Sequence, residues 1–226
     1  MLPELTRFGG AMALGFAVAA PVGPTGITAI RLGLARGAAT AFWIGMGAAV
    51  TDYAYVLLTY AGLGPAIVYV TWLPTVLYVV GALVLGRMAV AAISDVIARR
   101  KQPAGEAVTS PAAGGRDLDP GWRPALVLGL SITVVNPATI TSWLTMGGAF
   151  VAANLHSVAV PVAIVILLGI GAGSAAWFTI LAALVWTARA AASRLPVILD
   201  LVGALSALIL LSFALSFAFK AARIVL

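Results

Sequence analysis

The chain has 226 residues, of which 62% are hydrophobic and 9% are charged, and its mean hydropathy is +1.11. This composition excludes an ordinary soluble domain. The net charge of +6 does not indicate nucleic-acid binding, because the basic residues fall between long apolar segments, where the positive-inside rule explains them.

Six apolar segments predict six membrane-spanning helices, and hence an all-α integral membrane protein. Several uncharged stretches exceed the roughly 18 to 20 residues that cross a hydrocarbon core. Continuous apolar runs indicate helices, whereas barrel strands alternate in polarity. With charged residues as boundaries, the segments are 8–30, 38–62, 66–93, 124–153, 158–188 and 196–219.

The first segment contains a helix break. Pro21, Gly23, Pro24 and Gly26 fall within six positions, and each proline removes an amide donor and clashes with the preceding turn. We therefore expect a half-helix to begin near Thr25. The first 20 residues also have features of a signal peptide, but an internal repeat makes this segment equivalent to the fourth, so we expect it to be retained.

The second segment contains Asp52, the only carboxylate deep inside a predicted span. An acidic group there costs roughly 2.5–3.5 kcal/mol on insertion scales, and intramembrane carboxylates are functional by default. Three roles remain open at this point: pairing with the ammonium group of a substrate, taking up a proton in exchange transport, and holding a hydrogen bond between helices.

A long connection after the third segment divides the chain into two halves. It combines charged residues with Pro, Gly, Ala and Ser, which is typical of a flexible linker. We predict a first three-helix repeat over residues 1–98, a flexible cytoplasmic linker over 99–121 and a second three-helix repeat over 122–226.

Three sequence matches relate the two halves. Residues 23–28 resemble residues 136–141 at an offset of 113. At an offset of 122, residues 47–52 match 169–174 loosely, and residues 80–83 recur as 202–205. Because each half holds three spans, the second half must be inverted relative to the first, and the fold is predicted to be a 3+3 inverted repeat.

The fourth segment is broken at the position that matches the break in the first. Asn136-Pro137 interrupts it, and hydroxyl side chains around the break can satisfy the freed backbone groups. We expect the second half-helix to begin near Ala138, so that the first and fourth helices are both broken.

The two half-helices predict a central binding site. Their free amides carry the positive end of a helix dipole, and in an inverted repeat they meet at the middle of the membrane, where together they could hold one carboxylate. The alternative is that the prolines merely kink packed helices. Asp52 is also the predicted coupling-ion or proton site, and no metal ligands or cofactor are predicted. The predicted substrate-binding residues are Gly23, Pro24, Thr25, Gly26, Asp52, Asn136, Pro137, Thr139 and Ser142.

The distribution of basic residues predicts the orientation. The first-second, third-fourth and fifth-sixth connections share one side, which we expect to be cytoplasmic, so that both termini are extracytoplasmic. The basic residues assigned to that side are Arg31, Arg36, Arg99, Arg100, Lys101, Arg116, Arg123, Arg189 and Arg194.

Small residues and deep aromatic residues give two further expectations. Gly169 with Gly173, and Gly33 with Gly37, have the spacing that lets helices approach closely, which is compatible with a homodimer. The deeper tryptophans, at positions 143 and 177, are expected to pack in the core, and the alternative is that they line a cavity.

At the two helix breaks and around Asp52, the chain resembles the lysine-exporter (LysE/RhtB) family. The stretch 20–64, with its Gly-Pro break, Asp52 and Tyr53, is similar to the first half of these proteins, and Asn136-Pro137 matches their second landmark. The resemblance covers nearly the whole chain in span number, half-to-half symmetry and linker position. It implies a secondary transporter that exports amino acids or related small metabolites across the bacterial cytoplasmic (inner) membrane. Ion- or proton-coupled antiport and alternating access are implied with it.

The chain departs from the family pattern in two places. The family often has Pro before the Gly-Pro pair and an amide residue after it, where Val22 and Thr25 stand here. Members for cationic substrates can carry an additional acid beyond Asn-Pro, whereas residues 138–142 contain none. This difference slightly favours a neutral amino acid as substrate.

Other functions are less compatible with the residues. The absence of cysteine excludes the thiol-redox carriers related to this fold. A metal-ion exporter of the same superfamily is the alternative transporter, although one intramembrane Asp is a poor ligand set. An enzyme is not expected, because the spans offer one acid and no histidine. A non-transporting membrane assembly protein is the remaining alternative.

Overall fold

In a computed structural model of the protein, the described residues are 2–21, 23–62, 72–101, 121–150, 155, 158–194 and 196–225. Nearly all of them are helical, and none is in a strand. The helices are α1 (Leu2–Ala19), α2 (Pro24–Arg36), α3 (Ala38–Tyr60), α4 (Leu73–Lys101), α5 (Trp122–Val134), α6 (Pro137–Ser142), α7 (Val160–Arg194) and α8 (Pro196–Val225), with a π-helical turn (Trp143–Gly147) after α6.

The number of membrane spans agrees with the prediction when each broken helix is counted as one span. Within the described residues, parts of α3, α4, α7 and α8 are long and apolar enough to cross a membrane alone. The pair α1 and α2 is bent by 78°, and the helical run after α5 is bent from it by 63°. Counting each bent pair as one span gives up to six spans, which confirms the all-α membrane fold.

Both predicted breaks are present. The two half-helices begin at Pro24 and Pro137, each within one residue of the predicted start, and Gly23 and Asn136 are their N-cap residues. Proline is favoured at the first helical position because the amide it lacks would have no intrahelical partner there. The same chemistry therefore ends one helix and starts the next in both halves.

Some helices extend beyond the predicted spans. The first helix begins at Leu2, ahead of residue 8, and α4 continues to Lys101, beyond residue 93. Residues 99–101 of the predicted linker are therefore helical, and residues 102–120 lie outside the described part of the chain. Charged residues mark where a span leaves the hydrocarbon, whereas a helix can continue into water for another turn or more.

Helices of one half pack against helices of the other. α1 lies against α7, α5 lies against α3, and α4 lies against α8. At the α3–α5 contact, Gly129 leaves room for the backbone of Ile44, and at the α1–α7 contact, Gly15 does the same for Ile170. A repeat would make α1 equivalent to α5 and α7 equivalent to α3. These two contacts agree with that equivalence.

Two close glycine contacts differ in spacing from the sequence match between the halves. Gly47 approaches the backbone of Leu126, and Gly173 in the other half makes the same kind of contact with Met12. Gly47 and Gly173 are 126 residues apart, whereas the sequence match paired Gly47 with Gly169 at an offset of 122. The difference is about one helical turn, and residues four apart lie on the same helix face, so the sequence pattern could not distinguish them.

The glycine pairs considered for a dimer face neighbours within this chain. Gly169 and Gly173 lie against α1, and Gly33 lies against Ala41 and Val185. Close helix approach therefore explains their spacing without a second copy of the chain.

Candidate functional site

A cavity of about 140 Å³ lies where the two broken helices meet α3 and α7. Among the described residues that line it, Asp52 is the one ionisable side chain, and the other polar side chains are hydroxyls and one amide. The lining residues are Val18, Ala19, Pro21, Thr25, Gly26, Ala48, Asp52, Thr133, Asn136, Ala138, Thr139, Ser142 and Phe178.

Six of the nine predicted site residues line this cavity, and three do not. Gly23, Pro24 and Pro137 are absent from the lining and instead form the starts of the half-helices. The six predicted residues that do line the cavity come from positions far apart in the chain. They are Thr25, Gly26, Asp52, Asn136, Thr139 and Ser142.

The two half-helix starts differ in how their amides are satisfied. At α6, the side-chain oxygen of Asn136 accepts a hydrogen bond from the amide of Ala138 at 3.1 Å. At α2, the N-cap Gly23 offers no side chain for this purpose. The first amides of a helix lack intrahelical acceptors, so the amides of Thr25 and Gly26 leave the start of α2 the more open to an anion.

A hydrogen bond between two threonines joins the broken helices beside the cavity. The side-chain oxygens of Thr25 and Thr133 are 3.1 Å apart. Thr133 donates its one hydroxyl proton to the carbonyl of Gly129 at 2.8 Å, so Thr25 must be the donor in the pair. The lone pairs of Thr25 then make it an acceptor toward the cavity.

Asp52 is held by two donors from the second half of the chain. Its side chain is 4% exposed. Oδ1 accepts a hydrogen bond from the indole Nε1 of Trp143 at 2.9 Å, and Oδ2 accepts one from the hydroxyl of Ser174 at 2.7 Å. The carboxylate therefore links α3 to the π-helical turn and to α7. Of the three roles that the sequence left open, this is the hydrogen bond between helices.

Trp143 and Ser174 were not predicted from the sequence to be partners of Asp52. Trp143 was expected to pack in the core, and it is indeed 1% exposed, but it also donates to Asp52. Ser174 appeared only as the residue matched to Asp52 at the offset of 122. A deep tryptophan and a buried serine suggest that a polar partner is required, but they do not identify it.

Tyr55 stabilises the second break. Its hydroxyl donates to the carbonyl of Val134 at 2.8 Å, at the last residue of α5. A carbonyl at the end of a helix has no intrahelical donor. The tyrosine therefore satisfies a backbone group that the break at Asn136-Pro137 leaves open.

Arg31 and Asp95 form an ion pair that the sequence did not predict. Arg31 was assigned to the cytoplasmic connection, and Asp95 lay beyond the predicted end of the third span at residue 93, but they lie within α2 and α4. Their side chains are 2.9 Å apart and are 7% and 29% exposed, respectively. Using charges as span boundaries placed both residues outside the helical core, whereas pairing allows them to lie inside it.

The similarity of the chain to a known protein family extends over most of its length. No match was found among curated proteins or among solved structures. Residues 16–221 match the family model described as LysE type translocator, which confirms the resemblance that the two breaks and Asp52 suggested. The protein is therefore a multi-pass membrane protein that belongs to the LysE type translocator family.

Proposed function

We propose that the protein is a secondary transporter that exports small amino acids or related metabolites across the bacterial cytoplasmic membrane in exchange for protons or other ions. The observation that carries this proposal is the cavity between the two helix breaks, lined by Asp52, an open helix start and several hydroxyl groups. Transporters of inverted-repeat architecture place their substrate and coupling ion at such breaks.

The cavity offers complementary groups for the two ends of a zwitterion. A carboxylate would accept hydrogen bonds from the amides of Thr25 and Gly26 at the positive end of α2. An ammonium group would be held by Asp52 and by the acceptor oxygen of Thr25. Because Asn136 caps α6, this half-helix contributes less to the carboxylate than the sequence alone suggested.

The size and charge of the cavity support a small neutral substrate. An engineered protein cavity of about 150 Å³ accommodates benzene, and the cavity here is about 140 Å³. It therefore matches a solute of about six heavy atoms. The described lining contains no second carboxylate for a cationic side chain.

An inverted repeat would supply the two access states. The matching contacts of α1 with α7 and of α5 with α3 support equivalent halves, which can exchange conformations and open the site to either side. In this arrangement both termini are extracytoplasmic, as the basic connections predict, and a homodimer is compatible with the proposal.

The proposal is tested by counterflow of labelled amino acids in vesicles that contain the purified protein, with and without a pH gradient. We expect a small neutral amino acid to be exchanged and Asp52→Asn to abolish coupling to the gradient. Thr25→Val should lower uptake by about tenfold, which corresponds to one hydrogen bond of about 1.4 kcal/mol.

Thr51→Val is the matched control. Thr51 is buried beside Asp52 in the chain and donates to the carbonyl of Gly47, but it does not line the cavity. Its substitution should leave counterflow near the wild-type level. If Thr25→Val and Thr51→Val insert normally and transport equally well, the binding site lies elsewhere.

A further inference from the structure

We propose that Asp52 carries its transport proton on Oδ2, and that Ser174 is the hydroxyl whose hydrogen bond reverses when this proton binds. Trp143 holds Oδ1 in both protonation states. The inference rests on the proposed proton uptake by Asp52, and it assigns the proton to one atom and a positioning role to two side chains.

The indole of Trp143 determines which oxygen can be protonated. An indole N–H is a donor only, so its partner must be an acceptor. Nε1 lies 2.9 Å from Oδ1 of Asp52, and both side chains are buried. A proton on Oδ1 in this direction would place two donors against each other and leave both unsatisfied, which is costly in a buried site. We therefore assign the proton to Oδ2, whose partner can reverse its hydrogen bond.

Ser174 can accommodate the proton because a hydroxyl is both a donor and an acceptor. Its oxygen lies 2.7 Å from Oδ2 and donates to it when Asp52 is ionised. When Oδ2 is protonated, the carboxyl O–H donates to Ser174, and the serine proton must find another acceptor. Ser174 is 0% exposed, so this acceptor must come from the protein.

The carbonyl four residues earlier in α7, that of Ile170, is suited to this role. Serine and threonine side chains in helices commonly donate to the carbonyl at this spacing. Thr28, Thr51 and Thr133 do so in this protein, at distances of 2.7–3.1 Å. In the protonated state we assign the serine proton to this carbonyl, a contact that Ser174 does not make while it donates to Asp52.

The proton balance is simple. One proton moves from water in the cavity to Oδ2, an O–H bond forms, and the reverse step returns the proton to water on the other side.

Among described residues, the other titratable side chains near Asp52 are the tyrosines of α3, Tyr53 and Tyr55. On the helices packed against α3, the charged residues are Arg31, which is paired with Asp95, and Arg36 of α2, Arg123 of α5, and Arg189 and Arg194 of α7.

Infrared difference spectroscopy at low and high pH tests the assignment directly. Protonated Asp52 should give a carboxyl C=O stretching band that is absent in Asp52→Asn. If Oδ2 carries the proton, Oδ1 is the carbonyl oxygen that accepts from Trp143. Trp143→Phe should therefore move the band to higher frequency, and Ser174→Ala should move it less. A larger shift in Ser174→Ala, equal shifts in both variants or no band would overturn the assignment.

The pH profile of counterflow tests the role of Ser174. Ser174→Ala removes a donor that favours the ionised carboxylate, so the profile should move by about one pH unit toward higher pH. Ser174→Cys, whose S–H is a weak donor, should give a smaller shift. Ser212→Ala is the control, because Ser212 donates to the carbonyl of Leu208 on an exposed face. An unmoved profile in Ser174→Ala would overturn this role.

These measurements separate the inference from the proposed function. The infrared band requires no transport, so its expected behaviour in a protein that does not exchange amino acids would contradict only the function. Transport that depends on the pH gradient without a band from Asp52 would contradict only the inference.

Discussion

Substitution of Gly129 by alanine tests the closest approach of a glycine to a neighbouring helix among the described residues. An added Cβ would lie 2.7 Å from the carbonyl carbon of Ile44 and 2.9 Å from its Cα, whereas carbon atoms in contact prefer about 3.5–4.0 Å. The obstacle is the backbone of α3, which cannot rotate away as a side chain can. α3 and α5 must therefore separate by about 1 Å. This movement displaces Asp52, which lies in α3.

The expected loss is about 1–3 kcal/mol of unfolding free energy, the usual range for an overpacked site. Gly10→Ala is the matched control, because Gly10 is also helical and an added Cβ there meets nothing within 4 Å. Alanine favours a helix over glycine by up to about 1 kcal/mol, so this control should be unchanged or stabilised. Gly15→Ala should resemble Gly129→Ala, because its Cβ would lie 2.8 Å from the carbonyl carbon of Ile170.

The free energy of unfolding can be measured by titration with sodium dodecyl sulfate in mixed micelles, with circular dichroism as the signal. Counterflow in vesicles gives the functional readout, and we expect it to fall in Gly129→Ala because Asp52 moves with α3. Equal unfolding midpoints for Gly129→Ala and Gly10→Ala would refute the close approach of α3 and α5.

Three further predictions concern buried polar groups. Asp95→Asn should destabilise the protein by about 2 kcal/mol. This is below the roughly 3–5 kcal/mol of a fully buried pair, because Asp95 is partly exposed. The double variant Arg31→Met, Asp95→Leu should recover most of this loss in the same titration. A double-mutant cycle between Asp52→Asn and Trp143→Phe should give a coupling energy of about 0.5–1.7 kcal/mol, the range of interhelical hydrogen bonds in membranes, and no coupling would contradict their contact. Asn136→Ala should cost about 1 kcal/mol of unfolding free energy through the lost N-cap, whereas Asn136→Ser, which keeps a neutral acceptor, should cost less.

Local chemistry explains why the two helix breaks could be located from the sequence. Pro24 and Pro137 lack the amide that an uninterrupted helix requires, and this defect exists wherever the helix packs. The chain must therefore restart at these residues, and the structure places both helix starts there. The apolar composition likewise determined the membrane-spanning class, because burial of so many apolar residues requires lipid around them.

The partners of Asp52 could not be predicted in this way. Trp143 and Ser174 are 91 and 122 residues from it along the chain, and many hydroxyl and aromatic side chains in the spans could have served equally. Which of them meets the carboxylate depends on how α3 packs against α7 and the π-helical turn. The ion pair of Arg31 with Asp95 was missed for the same reason.

The amino-acid sequence alone determined the membrane class, the two breaks and a carboxylate inside a span, since proline geometry and transfer into lipid act residue by residue. The tertiary structure alone decided which glycines make close helix contacts and which two donors hold Asp52. Glycines one turn apart, such as Gly169 and Gly173, share one helix face, and only the packing against α1 shows how closely each approaches its neighbours.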